Sequence, residues 1–140
     1  KTSKSCGCFR RDLYRLEEGI YGLNQVILNY KRHAKRRGLS WELTKDQCKF
    51  LFSKKCFYCG TIPSNIINNK IEKIHARYIY NGIDRIYNSK GYIISNVVPC
   101  CKICNFAKNN LAFDEWVNWL ERIANNNLWI EIRKIEQLDK

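Results

Sequence analysis

Residues 81–108 read NGIDRIYNSKGYIISNVVPCCKICNFAK, and this stretch decides the fold. Its β-branched and aromatic residues predict a strand near 83–86, preceded by another near 78–80, and a partner strand over 92–98. The sequence NSKG at 88–91 is typical of a turn, and Pro99 is expected to stop the second strand. A short helix is expected just after Cys101, running past Lys108. The stretch therefore predicts a β-hairpin that leads into a helix.

Four of the eight cysteines form two Cys-x-x-Cys pairs, which are Cys56 with Cys59 and Cys101 with Cys104. Pairs of this kind, brought together from distant parts of a chain, bind Zn²⁺ tetrahedrally. A redox Cys-x-x-Cys is disfavoured because the chain lacks a thioredoxin-like βαβ pattern. We therefore expect a closed structural zinc site, with no open position for a substrate.

The remaining cysteines receive weaker interpretations. Cys100 is expected to pack as a small apolar residue beside the second pair, and Cys48 lies within an apolar helical pattern of the core. Cys6 and Cys8 are either half of a second zinc site or free thiols.

Two oxygen-bearing side chains are expected to meet at one edge of the hairpin and helix. Asp84 ends the first strand of the hairpin, and Asn105 opens the helix after Cys104. Taken singly, Asp84 could cap a strand end and Asn105 could start a helix. Together they offer two hard oxygen ligands and leave room for water and a phosphate, an arrangement that Mg²⁺ or Mn²⁺ prefers.

The flanking segments predict helices. Apolar residues recur every three or four positions from Asp12 to about Arg37, with Gly19 and Gly22 weakening the middle and Gly38 ending the helix. Thr44 and Gln47 fit a capping box for a second helix. Residues 61–74 are interpreted as an irregular loop. Asp114 is expected to cap a further helix, and residues 129–138 favour another.

The charge of the chain indicates a polyanionic partner. The formal net charge is +12, and five basic residues cluster within about two turns of the first helix: Lys31, Arg32, Lys35, Arg36 and Arg37. Such a cluster can contact several phosphates of DNA with little sequence specificity, although a solvated helix face is the alternative. No apolar run reaches membrane-spanning length and no secretory signal is visible, so we expect a reduced, cytoplasmic protein without membrane contact.

The motifs CFYCG, GIDRI, NSKGY, SNVVPCC and CKICNFAK resemble the HNH, or ββα-metal, endonuclease superfamily, in particular its zinc-stapled phage members. The resemblance implies an α+β fold with four parts: a loose segment 1–9 similar to the end of a zinc ribbon, a basic helical region 10–55, the metal-binding motif 56–108 and a helical extension 109–140. It implies that Asp84 and Asn105 bind the catalytic metal. It also implies that Asn96 braces the loop between the strands and that Lys108 lies near the scissile phosphate of DNA.

One position departs from the superfamily pattern. Arg85 stands where the family has the histidine that acts as general base, and an arginine stays protonated at ordinary pH. Arg85 could instead hold a phosphate through its fork. The candidates for the base are His75, a metal-bound water, or one of the tyrosines Tyr80, Tyr87 and Tyr92. His33 is interpreted as a surface residue of the basic helix.

The function expected from these features is a metal-dependent endonuclease that hydrolyses DNA, either nicking it or cutting both strands as a homodimer. The alternative is a zinc-stabilised nucleic-acid-binding module that has lost its base. RNA remains open as a substrate, and the chain could act as a monomer or a homodimer. The setting would be a phage-infected or mobile-element-bearing host cell.

Overall fold

The computed structural model describes residues 19–67 and 77–126. Along the chain these residues form α1 (Ile20–Arg36), α2 (Lys45–Ser53), β1 (Asn65–Ile67), β2 (Tyr78–Tyr80), β3 (Gly82–Arg85), a 3₁₀ turn (Ile94–Asn96), β4 (Val97–Cys100), α3 (Lys102–Lys108) and α4 (Phe113–Asn125). The expected α+β class is confirmed. In the described ranges, no helix combines the length and the apolar character that crossing a membrane requires.

Helix α1 buries one face, on which Leu23, Val26 and Ile27 point into the core. Gly38 adopts a φ of 65° just after the last turn, which confirms the predicted stop because glycine enters this left-handed region without strain. Gly22 lies buried inside the helix, which continues through this position although a glycine weakens it. The part of the predicted helix before residue 19 lies outside the described residues.

Helix α2 begins with the predicted capping box. The Gln47 amide donates to Thr44 Oγ1 at 3.2 Å, and the Thr44 amide donates to Gln47 Oε1 at 2.9 Å. Two of the orphan donors at the helix start are thus satisfied. The helix then places Cys48, Leu51 and Phe52 in the core.

Strands β1 and β2 form a separate antiparallel pair, with Asn65 opposite Tyr80 and Ile67 opposite Tyr78. The prediction of an irregular loop over 61–74 is therefore wrong for residues 65–67. A three-residue strand is too short to show the alternation of apolar and polar residues that predicts a strand. β1 is extended because it pairs with β2, and this pairing is not visible in its own sequence. Residues 68–76 lie outside the described residues.

Strands β3 and β4 form the predicted hairpin, with Gly82 opposite Cys100 and Arg85 opposite Val97. The second strand begins later than predicted and includes Pro99. The Pro99 carbonyl accepts the Phe57 amide at 2.8 Å, so the backbone hydrogen-bonding groups of Pro99 face away from β3. A proline at such a position removes no ladder bond, which is why it does not stop the strand.

Helix α4 begins one residue before Asp114, and its N-cap is Ala112. The prediction that Asp114 caps this helix is therefore wrong. The Glu115 carboxylate accepts the Ala112 amide at 3.0 Å and performs the capping instead. Asp114 lies in the first turn, where a negative charge suits the helix dipole. The predicted helix over 129–138 lies outside the described residues.

Two buried clusters organise these elements. The apolar core combines buried side chains of α1, α2, β3, β4 and the segments that connect them, namely Leu23, Val26, Ile27, Ala34, Leu43, Cys48, Leu51, Phe52, Ile83, Tyr92 and Val97. The cysteine cluster contains Cys56, Cys100, Cys101, Cys104 and Trp116. The β3–β4 hairpin contributes to both clusters and therefore joins them.

Candidate metal centres and the cleft between them

The two Cys-x-x-Cys pairs meet as predicted. The sulfur atoms of Cys56, Cys59, Cys101 and Cys104 all lie within 4.8 Å of one another, and the Cys59 and Cys101 sulfurs are 3.7 Å apart. Four thiolates around one Zn²⁺ at about 2.3 Å would lie about 3.8 Å from each other. The four sulfurs can thus hold one metal ion, and their spacing fits a tetrahedral zinc site.

Local backbone geometry prepares each pair. In the first, the Gly60 amide donates to the Cys56 carbonyl at 2.9 Å, and Gly60 takes a φ of 72°. In the second, the Cys101 sulfur accepts the Cys104 amide at 3.4 Å at the start of α3. These turns point both sulfurs of each pair to the same side.

The described thiols differ in ionisation. The Thr61 hydroxyl, 3.1 Å from the sulfur, is the largest of the influences that lower the pKa of Cys59 to about 6, which favours the thiolate that a metal binds. Burial raises the pKa of Cys48 to about 11 and also raises that of Cys100. Both of these side chains are fully buried, which confirms that they pack in the interior. Cys6 and Cys8 lie outside the described residues.

Asp84 is a buried carboxylate with two close partners. The Tyr58 hydroxyl donates to Oδ2 at 2.7 Å, and the Lys108 ammonium lies 3.2 Å from the same oxygen. Oδ1 receives a longer contact of 3.5 Å from Lys108. Burial, and then the bond to Asp84, raise the pKa of Tyr58, so its hydroxyl keeps its proton and donates.

Asn105 reaches the same region from α3. Its Nδ2 lies 3.5 Å from the Ile83 carbonyl, which leaves the amide oxygen as the available ligand atom. Gly82 lets Tyr30 approach β3, because a Cβ there would lie 2.6 Å from Tyr30 Oη and 3.2 Å from the Cys100 carbonyl. Tyr30 Oη in turn accepts the Ile83 amide at 2.8 Å, which fixes β3 against α1.

An open cleft of about 1000 Å³ connects these residues with the basic helix. Its walls include Asp84 and Asn105 from the hairpin and α3, together with Arg36 at the end of α1 and Arg37 just after it. His33, predicted as a surface residue of the basic helix, is exposed and also lines this cleft. His33 lies three and four positions before Arg36 and Arg37, and residues at this spacing share one face of a helix. This spacing could have predicted that His33 lines the cleft.

The basic side chains of α1 do not act as one group. Lys31, Arg32, Lys35, Arg36 and Arg37 are all exposed, and of these Arg36 and Arg37 line the cleft. Arg37 also donates to Tyr92 Oη at 2.6 Å, which fixes its direction. Contact with DNA by these five residues stays a prediction.

Arg85 and Lys108 are both buried, although each was expected to face a phosphate. Arg85 donates from Nη1 to the carbonyls of Asn88 and Lys90, the latter at 3.0 Å, and its guanidinium lies over the Tyr92 ring at 5.5 Å. Lys108 is fully buried and donates to the Arg85 carbonyl at 3.0 Å. The expected contact of Lys108 with a phosphate stays a prediction, while its burial makes it the counterion of Asp84.

Asn96 lies between the strands, as the resemblance implied. Its Nδ2 donates to the carbonyls of Tyr87 at 3.1 Å and Gly91 at 3.0 Å, and its Oδ1 accepts the Tyr87 amide at 2.9 Å. Three bonds from one buried side chain fix the path of the connection that follows β3. A bracing role for Asn96 agrees with this geometry.

Comparisons with known proteins place this arrangement in a family. The chain is 31% identical over 123 residues to YoqL, an SPbeta prophage-derived protein of Bacillus subtilis (strain 168) that is named as an HNH endonuclease. Its fold matches that of the rare-cutting HNH restriction endonuclease PacI with a TM-score of 0.53 over 74% of this chain and 78% of that one, at 21% identity. Both matches are to proteins named as HNH endonucleases, and together they support the HNH superfamily for this chain.

A second relative extends the range of sources. An uncharacterised protein of Acanthamoeba polyphaga mimivirus is 36% identical over 98 residues, which is 70% of this chain. The alignment with YoqL covers 81% of this chain, yet the chain spans about half of YoqL (52%) and 16% of the mimivirus protein. A comparison with models of protein families matches none of them.

Proposed function

We propose that this HNH chain is a metal-dependent endonuclease that hydrolyses phosphodiester bonds of DNA. The observation that carries the proposal is the shared cleft, which is lined by Asp84 and Asn105 and also by Arg36 and Arg37. Oxygen ligands for a cation and fixed positive charges for a phosphate backbone thus line one open space. YoqL and PacI are each named as HNH endonucleases, which supports the assignment.

Asp84 and Asn105 are proposed to hold Mg²⁺ or Mn²⁺. Their donor set fits such an ion because it consists of one carboxylate and one amide oxygen, hard ligands that leave other positions to water and phosphate. When bound, the ion supplies charge stabilisation at the phosphoryl group and its leaving oxygen. Lys108 lies 3.2 Å from Asp84 Oδ2 and orients the carboxylate for this task.

The four cysteines are proposed to hold a structural Zn²⁺. Two sulfurs come from a turn before β1 and two from the start of α3, so one ion would link α3 to that turn. Since all four positions of a tetrahedral ion would be filled by thiolates, this site has no role in bond cleavage.

The basic side chains of α1 are proposed to bind the DNA backbone. Arg36 and Arg37 line the same cleft as the proposed metal ligands, while Lys31, Arg32 and Lys35 extend the positive surface along the helix. Arg85 lines the cleft as well, so the nitrogens that do not bond the turn can face a phosphate. Such contacts position DNA without reading its sequence.

The proton acceptor is sought among a small set of residues. Burial raises the pKa of Tyr80, which weakens its case as a base. Tyr92 lines the cleft, where the guanidinium of Arg37 donates to its hydroxyl oxygen. His75 lies outside the described residues, and Tyr87 is exposed. Variants Tyr92→Phe and His75→Ala are therefore the first to assay once cleavage is established.

The proposal is tested by incubating supercoiled plasmid with the zinc-loaded chain and Mg²⁺ or Mn²⁺, with EDTA as control. We expect nicked circles that disappear in Asp84→Ala and in Asn105→Ala, and that persist in Asp114→Ala, a matched change on the exposed side of α4. Asn105→Ala is included because Asp84→Ala leaves the buried Lys108 without its counterion, which destabilises the folded chain.

Each outcome distinguishes two functions. Metal-dependent nicking that is lost in both site variants supports the nuclease, and linear product in addition to nicked circles indicates cutting by two chains together. A wild-type chain that retards plasmid on a low-salt gel without nicking it contradicts the nuclease. That result supports the binding module that keeps the fold without the chemistry.

A further inference from the structure

We propose that Tyr58 is a positioning residue that couples the cysteine site to the catalytic metal site by orienting Asp84. The inference rests on the proposed function, because it concerns the cation that Asp84 and Asn105 would hold. Tyr58 lies between Cys56 and Cys59 in sequence, within the turn that the zinc ion would close. Its hydroxyl is bonded to Asp84 at 2.7 Å.

The two carboxylate oxygens of Asp84 have different partners. Oδ2 is engaged by both Tyr58 and Lys108, at 2.7 Å and 3.2 Å. Oδ1 has the longer contact of 3.5 Å with Lys108. A carboxylate fixed by one oxygen presents the other in a defined direction, so Oδ1 is the oxygen available to a cation in the cleft.

The position of the Tyr58 ring is determined by the cysteine cluster. It packs edge-on against Trp116 with centroids 5.5 Å apart and against Phe57 with centroids 5.3 Å apart. Trp116 is buried among the cysteines, and the Phe57 amide is bonded to the Pro99 carbonyl of β4. These contacts hold the ring beside Asp84 and link its position to the turn between Cys56 and Cys59.

This arrangement gives the structural metal a second consequence. Closing the four cysteines around an ion fixes the Cys56–Cys59 turn, the turn fixes Tyr58, and Tyr58 fixes the ligand oxygen of the second ion. Partners that orient a metal ligand typically contribute about 10- to 100-fold to metal affinity or activity. Loss of the Tyr58 hydroxyl alone should lower affinity for the catalytic cation by a factor in this range.

The test measures Mn²⁺ binding by electron paramagnetic resonance on the zinc-loaded chain, without DNA. Tyr58→Phe removes the hydroxyl and keeps the ring. Tyr78→Phe is the matched control, because Tyr78 is half-buried in β2 and packs on Phe52 and Tyr80 rather than on Asp84. Asp84→Asn shows the signal when the ligand itself is changed. Zinc content and melting temperature are measured for every variant.

We expect Tyr58→Phe to raise the Kd for Mn²⁺ by about 10-fold or more, with one zinc per chain and a melting temperature close to that of the wild type. The concentration of Mg²⁺ that gives half-maximal nicking should rise in parallel. A Kd unchanged from the wild type overturns the inference. If Tyr58→Phe loses zinc, Trp116→Phe is measured as a second variant. It loosens the packing of the Tyr58 ring but leaves the Tyr58 hydroxyl, so it should raise the Kd by a smaller factor.

The inference and the proposed function fail in different ways. A wild-type chain that binds Mn²⁺ but does not nick plasmid contradicts the function, while the Kd of Tyr58→Phe still decides the inference. A chain that nicks plasmid with the same Mg²⁺ dependence in wild type and Tyr58→Phe contradicts the inference and leaves the function intact. A wild-type chain without Mn²⁺ affinity contradicts both.

Discussion

The apolar core and the cysteine cluster are built by different physical means. The apolar core contains large aliphatic and aromatic side chains from α1, α2 and the hairpin, including a group of rings formed by Tyr30, Trp41, Phe52 and Tyr92. The cysteine cluster contains four small thiol-bearing residues and one large ring, Trp116. The first cluster can be stabilised by burial of apolar surface, whereas the second is too small for that.

The free energies of apolar burial and of zinc binding explain why the two clusters are built differently. Burying one large apolar side chain contributes about 1.5–3 kcal/mol, so the apolar core sums many moderate terms. A structural Zn²⁺ contributes an apparent binding free energy of about 10–16 kcal/mol in small zinc domains. One ion can therefore replace several core residues, and the part of the molecule that carries Asp84 and Asn105 should depend on it most.

The largest expected effect comes from removing a ligand of the structural metal. Cys101→Ser should lose the zinc ion and the fixed structure of α3 and the first cysteine turn, because serine does not replace a thiolate ligand. Zinc content by colorimetric assay and thermal unfolding by circular dichroism measure the result. Cys100→Ala, at the adjacent buried thiol, should keep one zinc per chain, and equal zinc content in both variants would contradict the division between the clusters.

A smaller effect is expected in the apolar core. Phe52→Ala should lower the free energy of unfolding by about 3–5 kcal/mol, because it leaves a cavity among packed rings. Urea unfolding of the zinc-loaded chain measures it. Phe50→Ala is the matched control two residues away, since Phe50 is 59% exposed. Both variants should retain zinc, and zinc loss from Phe52→Ala would show that the two clusters are not separately stabilised.

The smallest effect concerns the start of α2, which serves the apolar core alone. Thr44→Ala removes the side-chain oxygen that accepts the Gln47 amide and should lower stability by about 1 kcal/mol. The same urea experiment measures it, with Ser89→Ala in an exposed turn as control. A change equal to that of Ser89→Ala would mean that packing of Phe52 and Leu51, and not the cap, determines this helix.

The features that could be predicted from sequence are those fixed by local spacing. The Cys-x-x-Cys pairs, the Thr44–Gln47 capping box and the stop at Gly38 each involve residues within a few positions of one another. The juxtaposition of Asp84 and Asn105 followed from the order of the hairpin and helix. In these cases the chemistry of a short segment determines its geometry.

The features that escaped prediction depend on partners far away in the chain. Tyr58 and Asp84 are 26 positions apart, and Lys108 is 24 positions beyond Asp84. Burial of Lys108 could not be read from the sequence, since a lysine is ordinarily exposed unless a buried acid pairs with it. Likewise, Pro99 remains in a strand because the amide of Phe57 approaches from the opposite side.

The bond between Phe57 and Pro99 also bears on self-association. The outer edge of a two-stranded ribbon is a template on which another chain can add a strand, and such additions lead to aggregation. At the middle of β4 the proline ring offers no amide donor, and its carbonyl acceptor is already used by the first cysteine turn. The residues that shape the metal-binding motif thereby also shield the ribbon on which the motif depends.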